Sequence, residues 1–351
     1  MQITPSAVPI RFSPRQRRAA KASAIPFACV ILLSFSASSA FAQQCQTSSD
    51  LDDATNSAVT SAGRHYFDLA AKGDVAALRQ GADATLISDF SPIEMLVKDH
   101  QQDLAAAQVT IRGDFLLEVD GSAPLAHAEF YCGVFGKNGQ TPGSAIFNLD
   151  NLPPGKYAVV LLEAAGAKAS SNFSLILSQA GADWKLAGAY LKPSQSAGHD
   201  TDWFTARARE FKAKGQAHNA WWFYLEARSV ASPLSFMFTQ ATDKLYDEFQ
   251  SLQPADLPAN GKTVELAAAG SSYQVTAIFP QGVGDDLDLI VKYQVTDASD
   301  SNHCYQSNVA VIAALAAKYP EIRSAFAAVV ARAQDSSGRD YGTLQTMKEI
   351  K

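Results

Sequence analysis

The chain has 351 residues, of which 47% are apolar, 10% aromatic and 18% charged, and its formal net charge is −6. This profile excludes an intrinsically disordered protein, a collagen-like protein, a coiled-coil rod and a small disulfide-rich scaffold. Because single hydrophobic cores stop growing at about 250–300 residues, the length predicts more than one domain.

Residues 1–42 have the composition of a secretory signal peptide. Five basic and no acidic residues precede an apolar run from Ile25 to Phe35, and Ala40-Phe41-Ala42 provides an A-x-A cleavage site. The apolar run is too short to span a bilayer, which takes about 20 residues, although a retained membrane anchor is the rival interpretation. We therefore expect an exported protein, periplasmic or secreted, whose mature chain begins at Gln43.

The remainder of the chain is strongly acidic. Without the five basic residues of the signal-like segment, the net charge changes from −6 to −11. An acidic chain without runs of lysine or arginine is a poor partner for nucleic acid or anionic lipid, and we expect neither. No later apolar stretch reaches 18 residues, so the mature chain is expected to lack a membrane span.

Three cysteines lie beyond the signal-like segment, namely Cys45, Cys132 and Cys304. In an oxidising compartment they allow at most one disulfide and leave one thiol. The sequence leaves all three pairings open. Because no C-x-x-C motif is present, a thioredoxin-like redox role has no support.

Residues 53–107 have the periodicity of helices. Apolar residues recur on one face of the first helix: Val59, Ala62, Tyr66 and Leu69. Gly73 is expected to end this helix and Asp74 to cap the next one. The stretch Ser91-Pro92-Ile93-Glu94 has the pattern of a capping box and predicts the start of a third helix.

Alternating apolar residues after these helices predict a meander of five or six strands. They cover 109–119, 126–135, 144–149 and 156–164, followed by strands around Leu175 and Leu186. Helices followed by an antiparallel sheet predict an α+β domain over residues 43–193.

Two stretches of this domain carry a family resemblance, YFDLAAKGDVAAL at 66–78 and DWKLAGAYLK at 183–192. With the order of the helices, they make residues 55–193 similar to the nuclear-transport-factor-2-like (cystatin-like) group. The resemblance implies a curved sheet that wraps a long helix into a cone around an apolar cavity. Members of the group include isomerases, dehydratases and many non-catalytic binding or dimerising modules.

A polar linker leads to a helical section over residues 201–252. Residues 201–233 resemble a single tetratricopeptide repeat, with small and aromatic residues at the expected spacings around Gly215: Phe204, Ala208, Phe211, Ala220, Tyr224 and Ala227. A further helix follows, to about residue 252. Because a solenoid needs about three repeats and the sequence contains no second copy, this hairpin is expected to pack against its neighbours.

The last section, residues 261–351, begins with two strands joined by a loop at 280–286. Two helices are expected next, one at about 308–317 and one that begins at Pro320 and includes Val329 and Val330. This pattern predicts a second α+β domain, and we find no family resemblance for it.

The resemblance to the cone group directs attention to polar residues on the predicted sheet. His127 and Glu129 share one face of their strand, and Asp114 lies on the preceding strand. If these faces pointed into the cone, the three side chains would form an acid–base cluster in an apolar pocket. The rival interpretation is that the polar residues face water. In that case the inner face is marked by the apolar residues Val109, Ile111, Phe115 and Leu117.

Seven aromatic residues are concentrated between positions 203 and 224. A hairpin cannot bury all of them internally, so some must meet another surface. Either they pack against the flanking domains, or Trp222 and Phe223 contribute to a groove for a partner protein.

The remaining motifs point away from several enzyme classes. Histidines are scattered without metal-ligand spacing, and no nucleophile elbow or phosphate-binding loop occurs, so we expect no metal and no cofactor. The sequence favours an exported, non-catalytic binding or scaffolding protein of the bacterial cell envelope, with a protein or small-molecule ligand. The alternatives are an isomerase or hydrolase that uses Asp114, His127 and Glu129, or a structural protein that dimerises through its sheet.

Overall fold

A computed structural model describes residues 43–135, 139–166, 170–259 and 261–351. The predicted signal peptide, residues 1–42, lies outside the described residues. The protein combines helices with largely antiparallel sheets, which confirms the predicted α+β class. No helix in the described ranges combines the length and the apolar character needed to cross a bilayer.

The first half of the described chain begins with a short strand and four helices. They are β1 (Gln43–Thr47), α1 (Asp53–Lys72), α2 (Val75–Gly81), α3 (Ala84–Ser88) and α4 (Ser91–Ala106). As expected, Gly73 ends α1 in the left-handed conformation, with φ of 72°, and the Asp74 side chain accepts from Ala77 N–H to cap α2. The capping-box prediction is wrong, because Ser91 already lies inside α4 and Phe90 precedes the helix without a side-chain cap.

The strands that follow are β2 (Gln108–Val119), β3 (Leu125–Cys132), β4 (Ala145–Leu152), β5 (Gly155–Ala165), β6 (Ser170–Ala180) and β7 (Asp183–Pro193). They do not form one meander. The first sheet has the antiparallel order β1-β2-β5-β6-β7, whereas β3 and β4 join β8 (Met237–Thr239) in a separate sheet. The physical reason is that Phe130 and Phe147 form an apolar face that packs on Phe115 and Val159 of the first sheet.

A β-bulge at Arg112 changes the direction of the side chains along β2. Ile111 pairs with Leu162 and Gly113 with Leu161, so β2 contains one extra residue at this point. Ile111 therefore faces the helices, whereas Phe115 faces the small sheet on the opposite side. The expectation that Val109, Ile111, Phe115 and Leu117 share one face is wrong, because an extra residue in a strand reverses every later side chain.

The helix-facing side of the first sheet is filled by side chains. Residues of α1 and α4 pack there with exposed fractions of 4% or less: Val59, Tyr66, Phe67, Ala70, Ile93 and Val97. Gly63 of α1 lies so close to β5 that an added Cβ would stand 2.7 Å from Val160. The long helix therefore packs closely on this face of the first sheet.

The second half of the chain contains α5 (Thr201–Ala213), α6 (Ala217–Ala231), β8, α7 (Gln240–Phe249), β9 (Val264–Ala268), β10 (Ser271–Val283), β11 (Asp286–Gln294), α8 (Ser301–Lys318), β12 (Ala328–Gln334) and β13 (Asp340–Thr346). The last five strands form a sheet in sequential order, with β11 parallel to β12 through the α8 crossover. The helix expected from Pro320 is a short 3-10 helix, Pro320–Ser324. Val329 and Val330 instead lie on β12, as suits β-branched residues.

The helical hairpin and the C-terminal sheet share one hydrophobic core. Phe204, Phe211 and Phe223 pack together within α5 and α6. The same core continues through Val291 and Tyr293 of β11 into α8. Residues 201–252 therefore bury their apolar face against the C-terminal section, as a lone repeat-like hairpin requires.

Candidate functional site

The structure separates the three residues of the predicted acid–base cluster. His127 and Glu129 lie on the exposed face of β3, with side chains 56% and 47% exposed. His127 Nδ1 lies 2.7 Å from Asp150 Oδ1, and this hydrogen bond raises the pKa of His127. His127 and Glu129 form a surface pair on the small sheet and line no enclosed pocket with Asp114.

Asp114 is on the other sheet and points the other way. It pairs with Val160 on the helix-facing side of β2, and only 3% of it is exposed. Burial raises the pKa of its carboxyl group, and Oδ2 has no hydrogen-bond partner. Because two sheets separate Asp114 from His127 and Glu129, the three side chains cannot act together on one substrate.

Trp222 and Phe223 do not form a groove for a partner. Their exposed fractions are 0% and 2%. The Trp222 ring packs against Tyr319 and Phe326, with centroids 5.9 Å away in both cases, and Phe223 packs against Phe211 at 4.9 Å. These aromatic residues join the hairpin to the C-terminal section and leave no surface for an external partner.

The structure selects one of the three cysteine pairings. Cys45 on β1 is bonded to Cys132 on β3, with Cα atoms 5.0 Å apart, and Cys304 is a buried free thiol. The disulfide links the first sheet to the small sheet that packs on it. In the described part of the chain, no group of three or more His, Cys, Asp or Glu side chains is arranged to hold a metal ion.

A pocket of about 190 Å³ lies where the first sheet, α6 and the segment leading into α7 meet. Its walls carry two cations, Lys192 of β7 and Arg228 of α6, three serines and the apolar side chains of Leu225, Met237 and Phe238. None of the residues that line it is a carboxylate. We call it the Lys192–Arg228 pocket.

Lys192 is held at the end of α6 by main-chain oxygens. Its ammonium group donates to the carbonyl of Ser232 at 2.8 Å and to the carbonyl of Ser229. These carbonyls belong to the last turn of the helix, where a positive charge is favourable. Burial nevertheless lowers the pKa of Lys192 to about 8, although the negative charge of Glu226 opposes the shift. Of the three N–H donors, two are used in this way and one remains.

Arg228 lies between two aromatic rings. Its guanidinium carbon is 5.4 Å from the centroid of Phe238 and 5.3 Å from that of Tyr246, and Nε donates to the carbonyl of Thr242 at 3.3 Å. Burial lowers the pKa of Arg228, and the charge of Asp243 partly offsets this effect. The planar fork of the guanidinium keeps further N–H donors for a bidentate contact.

The acidic neighbours of the two cations lie outside the pocket wall. Glu226 is buried behind Lys192, where desolvation raises its pKa and a hydrogen bond from Ser196 opposes the increase. Asp243 accepts a hydrogen bond from Gln140 at 2.9 Å. The pocket therefore presents cationic and hydroxyl donors, together with an apolar wall, to its interior. Such a set of groups can bind a small organic anion.

Sequence reasoning did not find this pocket. Lys192 and Arg228 are separated by a linker and a helix, and neither belongs to a motif with characteristic spacing. The one available signal was a lysine at the end of the strand DWKLAGAYLK, a strand that was already singled out for its resemblance.

Comparisons with known proteins found no matching family model, no matching curated protein and no matching solved structure. The resemblances to the nuclear-transport-factor-2-like group and to a tetratricopeptide repeat therefore stay predictions.

Proposed function

We propose that this protein is an exported, non-catalytic binding protein of the bacterial cell envelope, and that its ligand is a small organic anion held in the Lys192–Arg228 pocket. The observation that carries the proposal is the pairing of two partly buried cations in a pocket without a carboxylate in its wall. Desolvated cations recover lost hydration energy when they pair with an anion, so this arrangement of side chains favours such a ligand.

The size and polarity of the pocket restrict the ligand. At about 190 Å³ it is smaller than the roughly 300–1,000 Å³ of pockets for drug-sized ligands. Leu225, Met237 and Phe238 provide an apolar surface beside the charged groups. A short-chain carboxylate matches both properties better than a sugar or a peptide does.

The disulfide supports the cellular location in the proposal. Bridges such as Cys45–Cys132 form and persist in oxidising compartments and are rare in the cytosol. The signal-like composition of residues 1–42 agrees with export. The enzymatic alternative loses its support, because Asp114 is remote from His127 and Glu129.

Isothermal titration calorimetry of the purified protein tests the proposal. We would titrate acetate, butyrate, hexanoate and inorganic phosphate, with butylamine as a cationic comparison. At least one anion should bind with 1:1 stoichiometry. The variants Lys192→Met and Arg228→Gln should each weaken this binding by about tenfold or more, since each removes a charge-assisted hydrogen bond.

Matched control variants are available on exposed helical surfaces. Lys212→Met on α5 and Arg64→Gln on α1 remove the same charges away from the pocket and should leave affinity unchanged. Circular dichroism melting curves would establish that each variant is folded. Equal binding of butylamine, no binding of any anion, or full affinity in both pocket variants would contradict the proposed function.

A further inference from the structure

Strand β2 is paired on one side along only half its length. Its partner β1 covers residues 115–119, whereas β5 covers β2 from Gln108 to Val119. In the described ranges, no other strand pairs with β2 on the β1 side at residues 108–113. Burial follows this division, because residues 114–117 are buried and residues 108–113 are exposed or half-buried. The free edge offers main-chain donors and acceptors in line with β1.

A cleft of about 430 Å³ adjoins this free edge. Phe115 and Leu161 of the first sheet lie in its wall, next to Gly113, and Lys244 of α7 lies on the other side. A Cβ added to Gly113 would have no heavy atom within 4 Å, so the space above β2 is open. The cleft therefore combines an apolar surface with an unpaired stretch of backbone. It is distinct from the Lys192–Arg228 pocket, although Met237 contributes to both.

The charged residues that line the cleft are both basic. Arg112 forms an ion pair with Glu163, which lies outside the wall, and its own side chain remains 61% exposed. The Lys244 ammonium donates to Gln240 Oε1 at 3.0 Å. Both cations keep further N–H donors, since a guanidinium has five and an ammonium three. No carboxylate contributes to the wall of the cleft.

We infer that this cleft binds an extended, acidic polypeptide segment, which adds to the free edge of β2 as a strand in line with β1. Main-chain hydrogen bonds to residues 108–113 provide affinity, as in other cases of strand addition. Alternate side chains of the segment point to opposite sides of the sheet. The positions on the cleft side therefore include both apolar side chains, which contact Phe115 and Leu161, and acidic ones, which reach Arg112 and Lys244. This site is independent of the small-anion pocket.

Fluorescence anisotropy with three synthetic probes tests the mode of binding. The first is a fluorescein-labelled seven-residue peptide in which pairs of valines and pairs of glutamates alternate, so that each face of the strand carries both residue types. We expect it to bind the purified protein. The second carries N-methyl groups at alternate residues, which removes ladder donors, and should bind at least about tenfold more weakly. The third has lysine in place of glutamate and should be weaker by a similar factor.

A substitution on β2 tests the location. Gly113→Val fills open space without a clash in the free protein and without a φ that excludes side chains, so it should block the cleft and reduce peptide affinity by about tenfold or more. The matched control is Gly342→Val on β13, where an added Cβ would meet only Arg332 Cγ at 4.0 Å. That control should bind the peptide normally, and Gly113→Val should still bind the small anion.

Hydrogen exchange gives an independent readout of strand addition. Amides in residues 108–113 should exchange more slowly with the valine–glutamate peptide bound, whereas those in β13 should not change. Absence of peptide binding, equal binding of the N-methylated or lysine peptides, full affinity of Gly113→Val, or unchanged exchange at residues 108–113 would each overturn the inference.

Discussion

Lys192, near the end of β7, donates a hydrogen bond of 2.8 Å to the carbonyl of Ser232, at the end of α6. One ammonium group therefore ties the first sheet to the helical hairpin and also lines the proposed anion pocket. Because the same group is partly desolvated, its protonation links ligand binding to pH.

The affinity for a small anion is expected to fall as the pH rises through about 8. At that pH Lys192 loses its proton in the unliganded protein, whereas an ordinary lysine stays charged to about 10.5. Calorimetric titration of butyrate between pH 6.5 and 9.5 checks this prediction. Lys192→Met should bind weakly at every pH, and Lys212→Met should follow the wild-type profile. A pH-independent affinity in the wild type would contradict the role of Lys192.

The same pKa predicts the direction of a stability change. The folded state, with a pKa of about 8 at Lys192, binds fewer protons than the unfolded chain between pH 8 and 10.5. The contribution of Lys192 to the free energy of unfolding therefore rises with pH in that window. Urea unfolding of wild type and Lys192→Met at pH 7.5 and 9.5 measures this contribution. The free energy of unfolding of wild type, relative to that of Lys192→Met, should be higher at pH 9.5 than at pH 7.5.

Acid should destabilise the helical hairpin through Glu248. Its carboxylate accepts two hydrogen bonds of 2.7 Å from Arg209 and one of 2.6 Å from Tyr224, and the contact with Arg209 is the main cause of a pKa of about 2. A carboxyl group whose pKa is lowered on folding stabilises the protein fully when the pH is above its ordinary pKa of about 4.5. This stability is lost as the pH falls from 4.5 towards 2. Since Arg209 is 60% exposed, solvent screening limits the loss to about 1–2 kcal/mol.

Urea unfolding at pH 5.5 and 3.0 measures this loss. Glu248→Gln should show a smaller decrease in the free energy of unfolding than wild type over that interval. Glu210→Gln is the matched control, because Glu210 pairs with Arg207 on the exposed surface of α5. The prediction fails if Glu248→Gln and Glu210→Gln lose equal stability on acidification.

A buried polar network should make the C-terminal sheet sensitive to a single hydroxyl group. Tyr293 donates to Asn308 Oδ1 at 2.8 Å, and Asn308 Nδ2 donates to the carbonyl of Tyr341 and to Thr343 Oγ1, both at 3.0 Å. Tyr293→Phe leaves Asn308 Oδ1 without this donor and should lower the free energy of unfolding by about 1–3 kcal/mol. Tyr305→Phe, at a residue 52% exposed, should change it by less than about 0.5 kcal/mol in the same denaturation assay.

The disulfide should stabilise the packing of the two sheets in the first half of the chain. Cys45 and Cys132 are 87 residues apart, so the bridge restricts a long loop in the unfolded chain. Cys45→Ser should lower the melting temperature and reduce the free energy of unfolding by about 2–4 kcal/mol. Thiol titration of the mature protein should detect Cys304 only after unfolding, because that thiol is buried and burial raises its pKa. A rapidly reacting thiol in the folded protein would contradict this pairing.

Much of the first half of the fold could be predicted from local patterns. The end of α1 at Gly73 and the cap of α2 at Asp74 depend on residues within one helical turn, and both predictions are confirmed. The capping box at Ser91 failed because the helix begins one residue earlier than the motif implies. The helix expected at Val329 failed because its neighbours on β11 favour a strand there.

The candidate site shows the limit of such reasoning. Alternation placed His127 and Glu129 together on one face of β3, and they do share it, but the sequence left open which face of the strand meets water. The positions of Lys192 and Arg228 could not be predicted as a pair, because they come together only when the hairpin packs on the first sheet.

The sequence by itself determined the α+β class and most of the helices and strands, because these depend on composition and on spacings within a few residues. It also limited the three cysteines beyond residue 42 to one disulfide. The tertiary structure decided which strands pair, which cysteines join and where the cations meet, because these depend on contacts between distant residues. At Arg112, one extra residue in β2 sends Ile111 and Phe115 to opposite sides of the sheet. Only the pairing of β2 with β5 reveals that reversal, since it follows from the register between the strands.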